Sequence, residues 1–192
     1  MNKKVTIGIA VAVIVIVAGY FIFFNQSSST ILPSKPQTYS GDVSSLVFSL
    51  EELPEGYKIA ERTPRTKSDV SEEGLSWGWS EGYYIRYLKG GEESLFDVSR
   101  IELYVSRYPL ENVSKGIENG APEYEGYTME ELPNPNIGEM SLATRYTDDD
   151  LGFREYQIEF YDKDIYITLM NGGSATDYEL LKELAKKIEG KI

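Results

Sequence analysis

FREYQIEFYDKDIYITLMNGGSATDYELLKELAKKIEG, residues 153–190, contains both kinds of element the fold needs. Tyr156, Ile158 and Phe160 recur at every second residue, so they share one face of a strand over Phe153 to Tyr161. Asp162-Lys163-Asp164 is short enough for a hairpin, and a second strand follows from Ile165 to Met170. After a Gly172-Gly173 break the period becomes helical: Tyr178, Leu181, Leu184, Ala185 and Ile188 form an apolar stripe. Lys182, Glu183, Lys186, Lys187 and Glu189 occupy the other face. Thr176 with Glu179 three residues on has the form of a capping box. Lys186, Lys187 and Lys191 complement the helix dipole at the other end. Such a helix must bury its stripe, and the antiparallel strands beside it offer the surface. The reading is α+β, with the C-terminal amphipathic helix packed on a sheet.

Upstream, the period-two pattern continues. Leu46 to Leu53 holds mixed apolar residues, and Leu53-Pro54-Glu55-Gly56 is a turn leading into a strand at Tyr57 to Arg65. Trp79 to Lys89 reads as a strand with Tyr83, Ile85 and Tyr87 on one face and Tyr84 on the other. Gly90-Gly91 marks a turn, and Phe96 to Tyr108 alternates Ile101, Leu103 and Val105 against Glu102, Tyr104 and Ser106. Pro109 to Asn119 suits a short central helix, ended by Gly120. A loop with Pro122, Pro133 and Pro135 precedes a strand at Gly138 to Tyr146. The expectation is a mostly antiparallel sheet of six strands, in the order strands, helix, strands, helix.

At the other end of the chain, Val5 to Phe24 is a stretch of twenty residues without a charge. As a helix it is roughly 30 Å long, enough to span a bilayer's hydrocarbon core. It exceeds the apolar region of a cleaved secretory signal, so it reads as a retained transmembrane anchor. Lys3 and Lys4 place residues 1–4 in the cytoplasm by the positive-inside rule. Residues 25–42, rich in Ser, Thr and Pro, read as a spacer, and residues 43–192 as an extracytoplasmic domain. The membrane is thus the first partner.

Beyond the anchor, 17 Lys and Arg stand against 31 Asp and Glu, a formal charge of −14. That acidity argues against nucleic acid as a partner, because phosphate backbones repel it. The chain has neither Cys nor His. Their absence excludes His-dependent nucleophilic triads, disulfides, thiolate-linked lipid anchors and structural zinc. No phosphate-loop, G-x-S-x-G or Ser-x-x-Lys pattern occurs, so no cofactor is expected, and enzyme activity is not the leading reading.

Leu53-Pro54-Glu55-Gly56-Tyr57, together with the Tyr156–Met170 hairpin and its terminal helix, resembles small membrane-anchored archaeal surface proteins of uncharacterised function. The same residues loosely resemble the PsbP-like fold. The resemblance covers most of residues 45–190 and brings no catalytic residues with it. It implies an antiparallel sheet between helices, in proteins that bind or assist others.

Three candidate sites follow. Trp77, Trp79 and Tyr84 belong to the most concentrated aromatic stretch, and flat rings on a sheet face can stack on sugars or exposed peptide groups. The structural alternative is that they pack in the core. Asp148, Asp149 and Asp150 offer three carboxylates to a cation such as calcium, although the spacing of a calcium loop is missing and acidic hairpin tips are common. Asn112-Val113-Ser114 matches the N-glycosylation pattern, as does Asn25-Gln26-Ser27 close to the anchor. The function expected is a membrane-anchored extracytoplasmic interaction domain for a protein or glycan partner. A small carboxylate-dependent envelope hydrolase and a structural envelope component are the alternatives.

Overall fold

The computed structural model describes residues 37–90 and 98–192. The expected transmembrane helix at 5–24, the cytoplasmic stub, most of the spacer, Gly91 and Phe96 lie outside the described residues. Among those described, no helix is long and apolar enough to cross a membrane.

The class is α+β. Among the described residues, seven strands form one sheet, β1 (Lys58–Pro64), β2 (Glu81–Lys89), β3 (Ser99–Arg107), β4 (Tyr127–Glu131), β5 (Met140–Asp148), β6 (Arg154–Asp162) and β7 (Ile165–Gly173). Their spatial order is β1-β2-β3-β7-β6-β5-β4, and every neighbouring pair is antiparallel. The α-helices among the described residues are α1 (Glu72–Ser76), α2 (Lys115–Glu118) and α3 (Tyr178–Glu189).

The strand beyond the expected six is β4, which lies within the proline-containing loop. All five of its residues are exposed, so the alternation that marks a half-buried strand is missing. It is an edge strand, as is the equally exposed β1 at the other end. The central helix is also shorter than Pro109 to Asn119, because turns occupy the residues before Lys115.

Two corrections concern the join between β7 and α3. Asp177, not Thr176, caps the helix: its Oδ1 accepts from Leu180 N at 3.1 Å, and the helix begins one residue later than the capping-box reading requires. Gly172-Gly173 is no break either. Both residues extend β7, where Gly172 pairs with Arg100 and with Glu155. A Cβ there would lie 2.6 Å from Glu155 Oε2 and 3.0 Å from Arg100 Nη2, so the glycine makes room for that ion pair.

Register divides the sheet into two faces. On the first, Ile101, Leu103 and Val105 of β3 lie beside Ile167 and Leu169 of β7, which lie beside Ile158 and Phe160 of β6. The stripe Leu181, Leu184, Ala185 and Ile188 of α3 packs there, every one of these residues fully buried. The segment before β1 covers the rest with two 3-10 turns, Val43–Leu46 and Leu50–Glu52. Val43, Leu46, Val47, Phe48 and Leu53 are buried, and Tyr87 donates from its hydroxyl to the Phe48 carbonyl at 2.6 Å. Tyr39, inside the stretch read as spacer, also docks: its N–H donates to Asp164 Oδ1 at 2.6 Å. The second face carries the opposite phase of every strand. α2, which follows the first three strands, lies on that face, where a Cβ at Gly116 would meet the Tyr166 ring.

Candidate functional site

The second face is polar and aromatic because the residues between the core positions of the central strands are Glu, Arg, Gln, Thr and Tyr. Pairing places Tyr84 opposite Tyr104, Tyr104 opposite Thr168, and Thr168 opposite Glu159, one row across four strands. The next row runs Arg86, Glu102, Met170 and Gln157, and the one after it brings Arg100, Gly172 and Glu155 together.

Two arrangements occupy this face. The first centres on Arg100. Its Nη2 contacts Glu155 Oε2 at 2.5 Å, and its Nε lies 3.5 Å from Glu102 Oε1. Tyr84 and Tyr104 both donate to the Glu102 carboxylate, at 3.2 and 3.4 Å, with their rings 4.6 Å apart. Burial, and then the Glu102 charge, raise the Tyr84 hydroxyl far above its ordinary range, so it remains a neutral donor. The Arg65 guanidinium lies over the Tyr104 ring at 5.3 Å and donates to Ser106 Oγ at 2.8 Å. This network is largely self-satisfied.

The second is a cleft of about 270 Å³ between the sheet and the two short helices. Glu159 and Tyr166 form its floor, Tyr108 and Trp77 its aromatic wall, and Glu73 and Asn119 its rim. Tyr166 stands edge-on to Tyr108 at 6.2 Å, and Tyr108 lies 6.4 Å from Trp77. The wall is fixed from behind. Asn112 Nδ2 donates to the Trp77 carbonyl at 2.8 Å, and Asn119 Nδ2 to Glu73 Oε1 at 3.0 Å, tying α2 to α1. Gly116 allows α2 to sit on Tyr166, since a Cβ would come within 2.6 Å of the ring.

Glu159 is 9% exposed. Its Oε1 accepts from Tyr166 Oη at 2.9 Å and from Thr168 Oγ1 at 3.5 Å. Burial raises its carboxyl above the ordinary range, partly opposed by the Tyr166 hydrogen bond. Burial and the adjoining Glu159 in turn hold the Tyr166 hydroxyl well above its usual value. The arrangement can receive a positive charge or share a proton.

The three aromatic residues singled out from sequence are separated. Trp77 lines the cleft. Trp79 is 8% exposed and lies across Gly82, which has no Cβ to block it. Trp79 is therefore scaffold, and its Nε1 has no hydrogen-bond partner among the described residues. Tyr84 belongs to the Arg100 network. Asp148, Asp149 and Asp150 do not converge. Asp148 Oδ1 accepts from the N–H groups of Asp150 and Leu151, while Asp149 Oδ1 accepts from Thr128 Oγ1. Among the described residues no three acidic side chains are grouped to hold a metal. Asn112 is half-buried, and the nitrogen a glycan would take is the one bonded to Trp77.

Glu159, Tyr166 and Tyr108 were not singled out from sequence. Glu159 reads as an ordinary solvent-facing position between Ile158 and Phe160. Only the placing of β6 inside the sheet, beneath α2, turns that position into the floor of a cleft.

No known protein family and no curated protein matches this sequence. Among solved structures, the extracellular domain of PknH from Mycobacterium tuberculosis is similar, with a TM-score of 0.62 at 9% identity. The match covers 82% of this chain and 98% of the PknH domain. At that identity the likeness establishes the shared fold.

Proposed function

We propose that this chain is a membrane-anchored extracytoplasmic interaction domain that engages a protein or glycan partner through the second face of its sheet. The observation that carries the reading is the difference between the two faces. α3 and the segment before β1 bury the first face in apolar contact, whereas the second presents tyrosines, paired charges and clefts. Tyrosine and arginine are the residue types in which binding energy concentrates at interfaces. The twenty uncharged residues at 5–24 supply the tether, and the fold is shared with a domain that is itself extracellular in PknH.

The test is capture from envelope extract by the full-length chain in detergent. Tyr84→Ala and Arg100→Ala should lose the captured partner, while Glu183→Ala, on the solvent side of α3, should retain it. Capture that survives both second-face substitutions would refute the reading.

A further inference from the structure

Glu159 differs from buried Glu102 and Asp164 and from half-buried Glu155. Glu102 and Glu155 share Arg100, and Asp164 lies 3.7 Å from Arg107. Among the described residues, Glu159 has no Lys or Arg within ion-pair distance; its bonds come from neutral donors, the hydroxyls of Tyr166 and Thr168 and the side chain of Gln157. An ionised carboxylate removed from water without a counter-charge is costly. The cleft above it is lined by no Lys or Arg either. Instead, Trp77, Tyr108 and Tyr166 surround it, and Glu73 adds a second carboxylate at the rim.

Aromatic faces attract cations through their negative quadrupole, and the attraction grows where water is excluded. A carboxylate at the base and rings along the wall complement a positive charge carried on an apolar body. The cleft lies just below the usual range for drug-sized ligands, so its occupant is small. We propose that this cleft binds a small organic ammonium ion, with its charge against Glu159 and its methyl or methylene groups against Trp77, Tyr108 and Tyr166. The inference rests on the second face being a binding surface and names the ligand class of one cleft in it. The raised carboxyl of Glu159 agrees with a site whose counter-charge arrives with the ligand.

Choline is a suitable probe, with 3,3-dimethylbutan-1-ol as its uncharged analogue of the same shape. Titration of the full-length chain in neutral detergent at constant ionic strength, followed by tryptophan fluorescence and calorimetry, should show saturable choline binding. The alcohol should bind at least about tenfold more weakly, since it lacks both the ion pair and the cation–π attraction. Glu159→Gln preserves side-chain size and should lose at least about tenfold in choline affinity without a lower melting temperature. Trp77→Leu provides a second, independent loss. Phosphocholine adds a negative charge facing Glu73. Weaker binding than choline would identify a free ammonium ion as the ligand; equal or tighter binding, repeated with phosphatidylcholine vesicles, would identify a lipid headgroup.

Equal affinity for choline and the alcohol would overturn the inference, as would unchanged choline binding by folded Glu159→Gln or no binding at all. If partner capture still depends on Tyr84 and Arg100 in that event, the interaction reading stands and only the ligand class falls. Loss of both removes both.

Discussion

Replacing Trp79 by alanine removes an indole that is 8% exposed and lies on the Cβ-free backbone of Gly82. Truncating a buried aromatic side chain costs about 3–5 kcal/mol, the lost transfer energy plus the cavity left behind. For a domain of this size that is a fall in melting temperature of about 6–20 °C. Trp77 is half-buried in the cleft wall, so Trp77→Ala should cost only about 1–2 kcal/mol from its smaller apolar burial. A third variant separates packing from polarity. Trp79→Phe retains an aromatic ring but removes the indole N–H, which has no partner among the described residues. Relief of that unpaired donor offsets part of the lost volume, and the net cost should stay within about 1.5 kcal/mol. Urea denaturation followed by circular dichroism gives all three values. Equal losses at positions 77 and 79, or a loss below about 1 kcal/mol for Trp79→Ala, would refute the division into cleft wall and scaffold.

Leu184 is fully buried on the inner face of α3 while Glu183 is exposed, so Leu184→Ala should cost about 2–5 kcal/mol and Glu183→Ala less than about 0.5 kcal/mol in the same assay. Burial raises the folded-state pKa of Glu159 above its unfolded value near 4.5, so the stability this contributes is fully present below that value and lost as pH rises through the folded pKa. Glu159→Gln should therefore match the parent chain in acid and exceed it in stability near neutrality. Tyr166 donates to this carboxylate, the Glu159 charge also acts on Tyr146 and Tyr124, and burial raises the pKa of all three, so they remain neutral throughout that range. Melting curves across pH 3.5–8, an interval of about one unit below the unfolded value to well above it, would show the divergence; parallel curves would argue against a raised carboxyl. Fractionation should place the full-length chain in the membrane, released by detergent but not by alkaline carbonate; a mature N-terminus near Tyr20 would contradict the retained anchor.

The sequence by itself determined the α+β class, the central strands and the C-terminal helix. Tyr156, Ile158 and Phe160, and the stripe from Leu181 to Ile188, each have one face apolar and the other polar, and a one-dimensional period reports that asymmetry directly. β1 and β4 escape this logic in different degrees: as edge strands they bury neither face, so β1 was found only from its turn signal and β4 was missed. The helix cap moved by one residue because Thr176 and Asp177 are both competent acceptors, and it is Asp177 that β7 holds in place, its N–H donating to Asn171 Oδ1 at 2.6 Å. The separation of Trp77 from Trp79 was likewise out of reach, since whether an aromatic ring is wall or scaffold depends on what stands opposite it. Glu159 lies between Ile158 and Phe160 in sequence, whereas in space its carboxylate meets the hydroxyls of Tyr166 and Thr168. That difference arises from strand order, β7 between β3 and β6, which brings Tyr104 and Glu159, 55 positions apart, into one row. Period fixes which face a side chain takes; only the assembly of strands and short helices decides whether that face meets water, core or cleft.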